Sequence, residues 1–306
     1  MNWFGVMPAV TTPFTPDLQV DHDFLARHTA WLLENGSKGL VMVGSLGEGA
    51  TLEHAEKIAV LKTAVKASEK AGTPVVSAIS ALSTKNAVLL AKEAEAAGCQ
   101  GLMVLPPYVY ASDWREMKAH VSAIMSATKL SCMLYNNPLA YKTDFLPQQI
   151  GELAQEFQNL QAVKESAGDV RRVAHIREVV GDRLKIFVGV DDVLVEAVDA
   201  GATGWVAGLV NAFPRESVEL FELALAGKRK EAYELYGWFL PLLRLDTVPK
   251  FVQLIKWVQE ETQTGTPWVR APRLELAGAD LEEAKAVLQK ALANRPAVTS
   301  TVLQKA

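Results

Sequence analysis

The runs Leu130-Ser131-Cys132-Met133-Leu134-Tyr135 and Leu160-Gln161-Ala162-Val163-Lys164-Glu165 start 30 positions apart, and their spacing decides the fold. Each is a short, β-prone apolar run, and the span between them has room for one helix. The same alternation extends in both directions. Further strands are predicted at Val6–Thr11, Leu40–Val43, Val75–Ile79, Gly101–Leu105, Leu184–Val188 and Gly204–Ala207, with successive starts 20 to 35 residues apart. Between the first two, Phe24, Leu25, His28, Trp31 and Leu32 recur at helical spacing, with Asp21 or Asp23 to cap that helix and Gly36 to end it. Alanine-rich stretches at 53–71, 84–98 and 113–128 repeat the pattern. Strands alternating with helices imply parallel pairing through right-handed crossovers, and eight such units close into a barrel. The fold class is therefore α/β, a (β/α)8 TIM barrel. An open doubly wound sheet is the rival, but it normally carries a nucleotide fingerprint.

After the last strand, segments 215–227, 229–243, 247–263 and 280–293 each read as amphipathic helices. They divide the chain into a catalytic barrel at 1–225 and a C-terminal helical extension at 226–306, packed as one functional unit. Residues 294–306 read as a loose tail.

The 306 residues are 49% hydrophobic and 22% charged, with a net charge of −4, so a broad electrostatic surface for nucleic acid or anionic lipid is not expected. Met1-Asn-Trp-Phe-Gly-Val6 lacks a basic segment and a long apolar run, which predicts no secretion signal, and no apolar run is long enough to span a membrane. Cys99 and Cys132 both sit in apolar contexts and read as buried thiols. A cytoplasmic protein acting on a small molecule is expected.

Several motifs fail on inspection. Gly44-Ser45-Leu46-Gly47-Glu48-Gly49 follows a strand, but its order is not that of the dinucleotide fingerprint. A P-loop and a nucleophile elbow are absent. The histidines at 22, 28, 54, 120 and 175 form no ligand-spaced pair and read as packing or surface residues, so neither metal nor cofactor is expected.

Four features remain, each at a strand end where barrel active sites form. Lys164 ends an apolar strand, where desolvation would lower its pKa and free the amine to attack a carbonyl; the bland alternative is a snorkelling lysine paired with Glu165. Tyr135 ends the preceding strand and can shuttle protons beside that amine, or merely fill the barrel top. The loop from Gly44 to Glu48 leads into a helix capped by Thr51, and its N–H groups and the Ser45 hydroxyl can hold a carboxylate, unless it is an ordinary strand-to-helix turn. Pro106-Pro107-Tyr108 stiffens the loop after the fourth strand and presents aromatics, for the site or for packing.

Together, G-S-x-G-E at 44–48, P-P-Y at 106–108, Y-N-N-P at 135–138, V-K-E-S at 163–166 and G-V-D-D at 189–192 resemble one family, over nearly the whole chain. It is the dihydrodipicolinate synthase and N-acetylneuraminate lyase superfamily of class I aldolases. The resemblance implies a homotetramer built as a dimer of dimers. By motif, Lys164 matches the Schiff-base lysine, Tyr135 the proton-shuttling tyrosine, and Ser45 with the following N–H the carboxylate-binding turn. Tyr108 matches a tyrosine that members often lend to a neighbouring subunit's site. Lys164, Tyr135 and Tyr108 are thus the candidate catalytic residues, and Ser45, Leu46, Gly189, Asp191 and Val206 the candidate substrate-binding positions.

Two departures bear on substrate. The synthase usually has a second hydroxyl after Ser45's position, joining a relay between tyrosines, where this chain has Leu46. It also usually has an arginine five residues after the shuttling tyrosine, where this chain has Ala140, and Lys142 would not reproduce a bidentate clamp. Y-N-N-P-L-A-Y and Leu46 look most like the deaminases that convert 1-pyrroline-4-hydroxy-2-carboxylate, from hydroxyproline, to 2-oxoglutarate semialdehyde and ammonia. The alternatives are 4-hydroxy-tetrahydrodipicolinate synthase, or a pyruvate-dependent aldolase or sugar-acid dehydratase in which Asp191 and Asp192 bind hydroxyls rather than cap a helix. From another class, the chain could be a 2-oxo acid sensor. Because no metal constellation is visible in the sequence, treatment with EDTA should leave turnover unchanged; loss of activity restored by a divalent metal would contradict that expectation.

Overall fold

The computed structural model describes residues 1–297; residues 298–306 of the predicted tail lie outside the described residues. Eight parallel strands form one sheet: β1 (Gly5–Pro8), β2 (Leu40–Met42), β3 (Val75–Ile79), β4 (Gly101–Val104), β5 (Ser131–Asn136), β6 (Leu160–Glu165), β7 (Lys185–Val188) and β8 (Gly204–Ala207). From β2 to β8 each strand pairs with its neighbours in sequence, and β1 pairs with β8. Between β1 and β2 the ring is completed by a bridge from Ala9 to Val41 and by hydrogen bonds from Lys38 N to Val6 O (2.8 Å) and Val10 N to Val41 O (2.9 Å). The fold is a (β/α)8 barrel.

The helices are α1 (His22–Glu34), α2 (His54–Ser68), α3 (Thr84–Ala96), α4 (Trp114–Ser126), the single turn α5 (Pro138–Tyr141), α6 (Pro147–Glu156), α7 (Arg171–Val180), α8 (Leu194–Asp199), α9 (Pro214–Leu225), α10 (Arg229–Leu243), α11 (Phe251–Glu261) and α12 (Gly278–Ala293). Local chemistry starts them. The Asp21 carboxylate accepts from Phe24 N (2.8 Å) to cap α1, Ser83 caps α3, and Asp113 with Glu116 forms a capping box on α4. Gly36, at φ +99°, lets the chain leave α1. No helix among the described residues is long and apolar enough to cross a membrane.

Strand parity divides the core in two. Met7, Val41, Ala78, Met103, Met133, Ala162, Phe187 and Val206 fill the barrel interior, while Val6, Leu40, Val104, Leu134, Val163, Ile186 and Trp205 pack outward under the helices.

Three sequence expectations shift. The first strand ends at Pro8 rather than Thr11, because Thr11 turns to the C-terminal helices: its N–H donates to Asn211 Oδ1 and its hydroxyl to Gln259 Oε1 (2.9 Å). Helix α2 is capped by Glu53 in a box with Glu56, not by Thr51, whose hydroxyl instead bonds Glu48 O (3.0 Å). The helix expected over 247–263 begins only at Phe251, because Pro249 holds the residue before it out of the helical region.

One buried ion pair ties the extension to the barrel. Lys256 Nζ on α11 lies 2.6 Å from Glu48 Oε1, with side-chain exposures of 1% and 0%. Lys256 also donates to Trp268 O and sits 4.2 Å from the Phe14 ring centroid, while Arg270 N donates to Glu48 Oε2 (3.1 Å). Every polar atom of the pair is thereby occupied, which is what makes two buried charges tolerable. Lys256→Ala should therefore strip the buried Glu48 carboxylate of its ammonium partner and cost about 3–5 kcal/mol of stability; an unchanged urea midpoint would contradict this.

Candidate active site

The C-terminal ends of the strands open into a cavity of about 560 Å³. Its floor is Lys164. Alternation along β6 turns Ala162 and Lys164 into the barrel and Val163 and Glu165 toward the helices. Lys164 is 7% exposed, and Nζ lies 4.3 Å from the Tyr135 ring centroid. Burial lowers its pKa to about 8, against an opposing pull from the carboxylates of Asp246 and Asp191. The pairing with Glu165 that would make Lys164 a snorkelling residue does not form. The Glu165 carboxylate accepts instead from Asn136 Nδ2 (3.0 Å) and Ala167 N (2.6 Å), with Arg172 Nε at 3.8 Å.

The lysine arm needs Gly189. A Cβ there would lie 2.5 Å from Lys164 Cε and 2.0 Å from Ser166 Oγ. Ser166 lines the cavity, and its buried hydroxyl has no protein partner. Val206, on the interior face of β8, closes the floor.

Tyr135 is 6% exposed, its oxygen accepting from Asn137 Nδ2 (2.9 Å), and burial pushes its pKa up. Beside it stands Tyr141, at the end of the turn α5, with ring centroids 5.7 Å apart at 88°. The Tyr141 hydroxyl pairs with Ser45 Oγ at 2.6 Å, and its ring lies 5.6 Å from that of Tyr108. A chain of phenols thus runs from the lysine to the loop after β2. Sequence reasoning missed Tyr141; its place three residues after the Pro138 that starts a helical turn was the available signal.

The loop from Gly44 to Gly49 lines the wall with Ser45 and Leu46, the latter 4% exposed. Helix α2 begins at His54, so the loop's own N–H groups, and not the helix terminus at Thr51, are what Ser45 has beside it. Tyr108 lines its own chain's cavity, with Oη 3.2 Å from Ser80 Oγ.

Asp191 also departs from expectation. It is fully buried behind the cavity wall, where its carboxylate accepts from Trp205 Nε1 (2.9 Å) and Gly208 N (3.2 Å), and it neither caps a helix nor lines the cavity. The carboxyl that does line the cavity is Asp246, carried by the 3₁₀ turn after α10. The extension also supplies Phe251 and Arg273 to the rim. Neither Asp246 nor Arg273 had a sequence signal, since both lie outside the strand-end motifs.

No group of three or more His, Cys, Asp or Glu arranged to hold a metal occurs among the described residues. His28 is buried between Asn211 and Gln259, and burial lowers its pKa to about 4, so it is neutral. Cys99 and Cys132 are free, buried thiols whose pKa burial raises to about 12.

Residues 2–291 match the model of the dihydrodipicolinate synthetase family. The chain belongs to this family. A 4-hydroxy-tetrahydrodipicolinate synthase of Agrobacterium fabrum is 32% identical over 268 residues, covering 88% of this chain and 91% of that protein. The structure of the same enzyme from Methylacidiphilum fumariolicum superposes with a TM-score of 0.91 at 29% identity, covering 95% of this chain and 97% of that one. An Acinetobacter baumannii dihydrodipicolinate synthase in complex with pyruvate has a TM-score of 0.89 at 26% identity, with 94% and 98% covered. The family's enzymes are aldolase-type lyases that work through a Schiff-base lysine, and this chain is one of them. In this family member, Gly189→Ala should fold but fail to form a borohydride-trapped adduct with pyruvate, because the new methyl occupies the space of the Lys164 arm. Normal trapping in that variant would show that the lysine can take another path.

Proposed function

We propose that this chain is a cytoplasmic lyase whose Lys164 forms the Schiff base with a small 2-oxo acid or cyclic imino acid, and that its reaction is deamination of 1-pyrroline-4-hydroxy-2-carboxylate. The observation that carries the first part is a buried amine on the floor of a cavity, against the face of a tyrosine, where burial pulls its pKa down to about 8. An amine titrating near 8 is a usable nucleophile at neutral pH, which an exposed lysine is not. A pure sensor would need neither this shift nor Tyr135.

The neutral Lys164 amine attacks C2 of the cyclic imine, and the C2–N ring bond breaks to release a primary amine and a protonated Schiff base. That cation withdraws electrons, so Tyr135 can help remove a C3 proton. The enamine expels the C4 hydroxyl, which leaves as water once protonated. The conjugated product then tautomerises so that C5 becomes an imine. Two waters hydrolyse the C5 imine to aldehyde and ammonia and the Lys164 imine to the 2-oxo acid, which gives 2-oxoglutarate semialdehyde. Ser45 and the N–H groups of its loop would hold the substrate carboxylate. Leu46 and Ala140 favour this reading over the synthase, because they remove a relay hydroxyl and a second carboxylate clamp.

The names of the relatives favour a second reading, 4-hydroxy-tetrahydrodipicolinate synthase itself. A sugar-acid aldolase or dehydratase using Asp191 is weakened by that carboxylate's occupation with Trp205 and Gly208. The proposed assembly is a homotetramer; exposed Leu82, Val109 and Tyr110, on the loops after β3 and β4, support an apolar face that a second copy covers.

Intact mass after borohydride reduction with pyruvate tests the lysine. A pyruvate-sized adduct should form on the native chain, faster as pH rises toward and just past 8 as the amine deprotonates, and should vanish in Lys164→Ala. Near-normal turnover in Lys164→Ala would overturn the mechanism. The hydroxyproline-derived imine should then release ammonia; pyruvate consumption with aspartate semialdehyde instead would favour the synthase.

A further inference from the structure

The carboxyl of Asp246 has no counterpart among the motifs that placed the rest of the site. It arrives from the C-terminal extension, on the turn Arg244–Asp246, and lines the cavity that Lys164 floors. The barrel makes room for it with Gly208: a Cβ there would lie 2.5 Å from Asp246 Oδ1 and 2.9 Å from Cγ. Behind it, the Asp191 carboxylate is held by Trp205 and Gly208 N, which leaves Asp246 as the carboxyl facing the substrate space. The two carboxyls lie against each other. The phenol chain, by contrast, ends at the Ser45 hydroxyl, and the next residue, Leu46, adds no proton-carrying group.

We propose that Asp246 is a catalytic acid and base for Schiff-base formation at Lys164, moving the protons that turn a 2-oxo acid carbonyl into water. This rests on Lys164 as the Schiff-base residue and is independent of the deaminase reading. The steps balance without any outside reagent. The neutral amine attacks C2, the carbonyl π pair moves to oxygen, and oxygen takes the proton of the Asp246 carboxyl. The resulting carboxylate takes a proton from the new C–N centre, giving a neutral carbinolamine and the acid form again. Asp246 then protonates the carbinolamine hydroxyl, the C–O bond breaks, and water leaves. The iminium cation and the Asp246 carboxylate remain as an ion pair. Charge is zero before and after.

The electrostatics suit this cycle. Burial and the Asp191 charge hold the Asp246 pKa well above the usual carboxylate range, which favours its acid form, while burial depresses Lys164, which favours the neutral amine. The developing iminium then stabilises the carboxylate form, when a base is needed at the end of the step.

Rapid-quench borohydride trapping of the pyruvate adduct tests the role. Asp246→Asn should slow adduct formation by about 100-fold, the usual contribution of a positioned acid or base. A purely electrostatic role, in which a charged Asp246 carboxylate holds up the Lys164 pKa, predicts the opposite, because its loss would free more neutral amine. Adduct formation as fast as in the native chain, or faster, would therefore overturn the proposal. Gly208→Ala, which pushes the carboxyl away without removing it, should also slow trapping, and formate should partly restore the rate of Asp246→Ala but not that of Lys164→Ala. Absence of any adduct on the native chain would instead sink the Schiff-base assignment, and the role of Asp246 with it.

Discussion

An ammonium group held inside a closed parallel barrel is costly, and the top of this barrel is arranged around that cost. Lys164 can only point inward, because residues two apart on β6 share a face and Ala162 is already in the interior. Desolvation then shifts it toward the neutral amine, and the neighbourhood meets it with a phenol face, two carboxyls and a glycine that leaves space for its arm. The outward residue next to it, Glu165, binds Asn136, Ala167 and Arg172 and so leaves the lysine free. A one-residue change of register would exchange these two roles.

The extension is part of the site. The pair of Lys256 and Glu48 fixes the loop that carries Ser45, and Glu48 sits at φ +52°, a backbone conformation that needs such support. The same segment of chain contributes Asp246, Phe251 and Arg273 to the cavity. Arg273 approaches Glu48 at 3.8 Å, but the two Glu48 oxygens already accept from Lys256 and Arg270 N, so the guanidinium is left facing the rim. Barrel and extension therefore share one electrostatic network.

Membership of the family and the details of its chemistry rest on different residues. The barrel and the lysine are common ground with the dihydrodipicolinate synthases. In this chain the cavity walls carry the apolar Leu46 and Ala140, and Tyr141 is paired with Ser45. Under the proposed deaminase reading, these positions would face the substrate's short, uncharged tail.

Periodicity along the chain was sufficient to find eight β/α units, because strand and helix repeats are local, and strand ends are where barrel sites form. Lys164, Tyr135 and Ser45 were legible for that reason. Asp191 was legible as a residue but not as a buried acceptor, since its partners Trp205 and Gly208 lie on another strand and the loop beyond it. Tyr108 could be named, but its direction into its own cavity depends on Ser80 and Tyr141. Asp246 and Arg273 were invisible, because nothing local marks a turn after α10 as the wall of a cavity. The amino-acid order by itself determined the barrel and the lysine that points into it; the tertiary structure alone decided which carboxyl shares its cavity, because that depends on a helical extension folding back across the barrel mouth onto a buried ion pair.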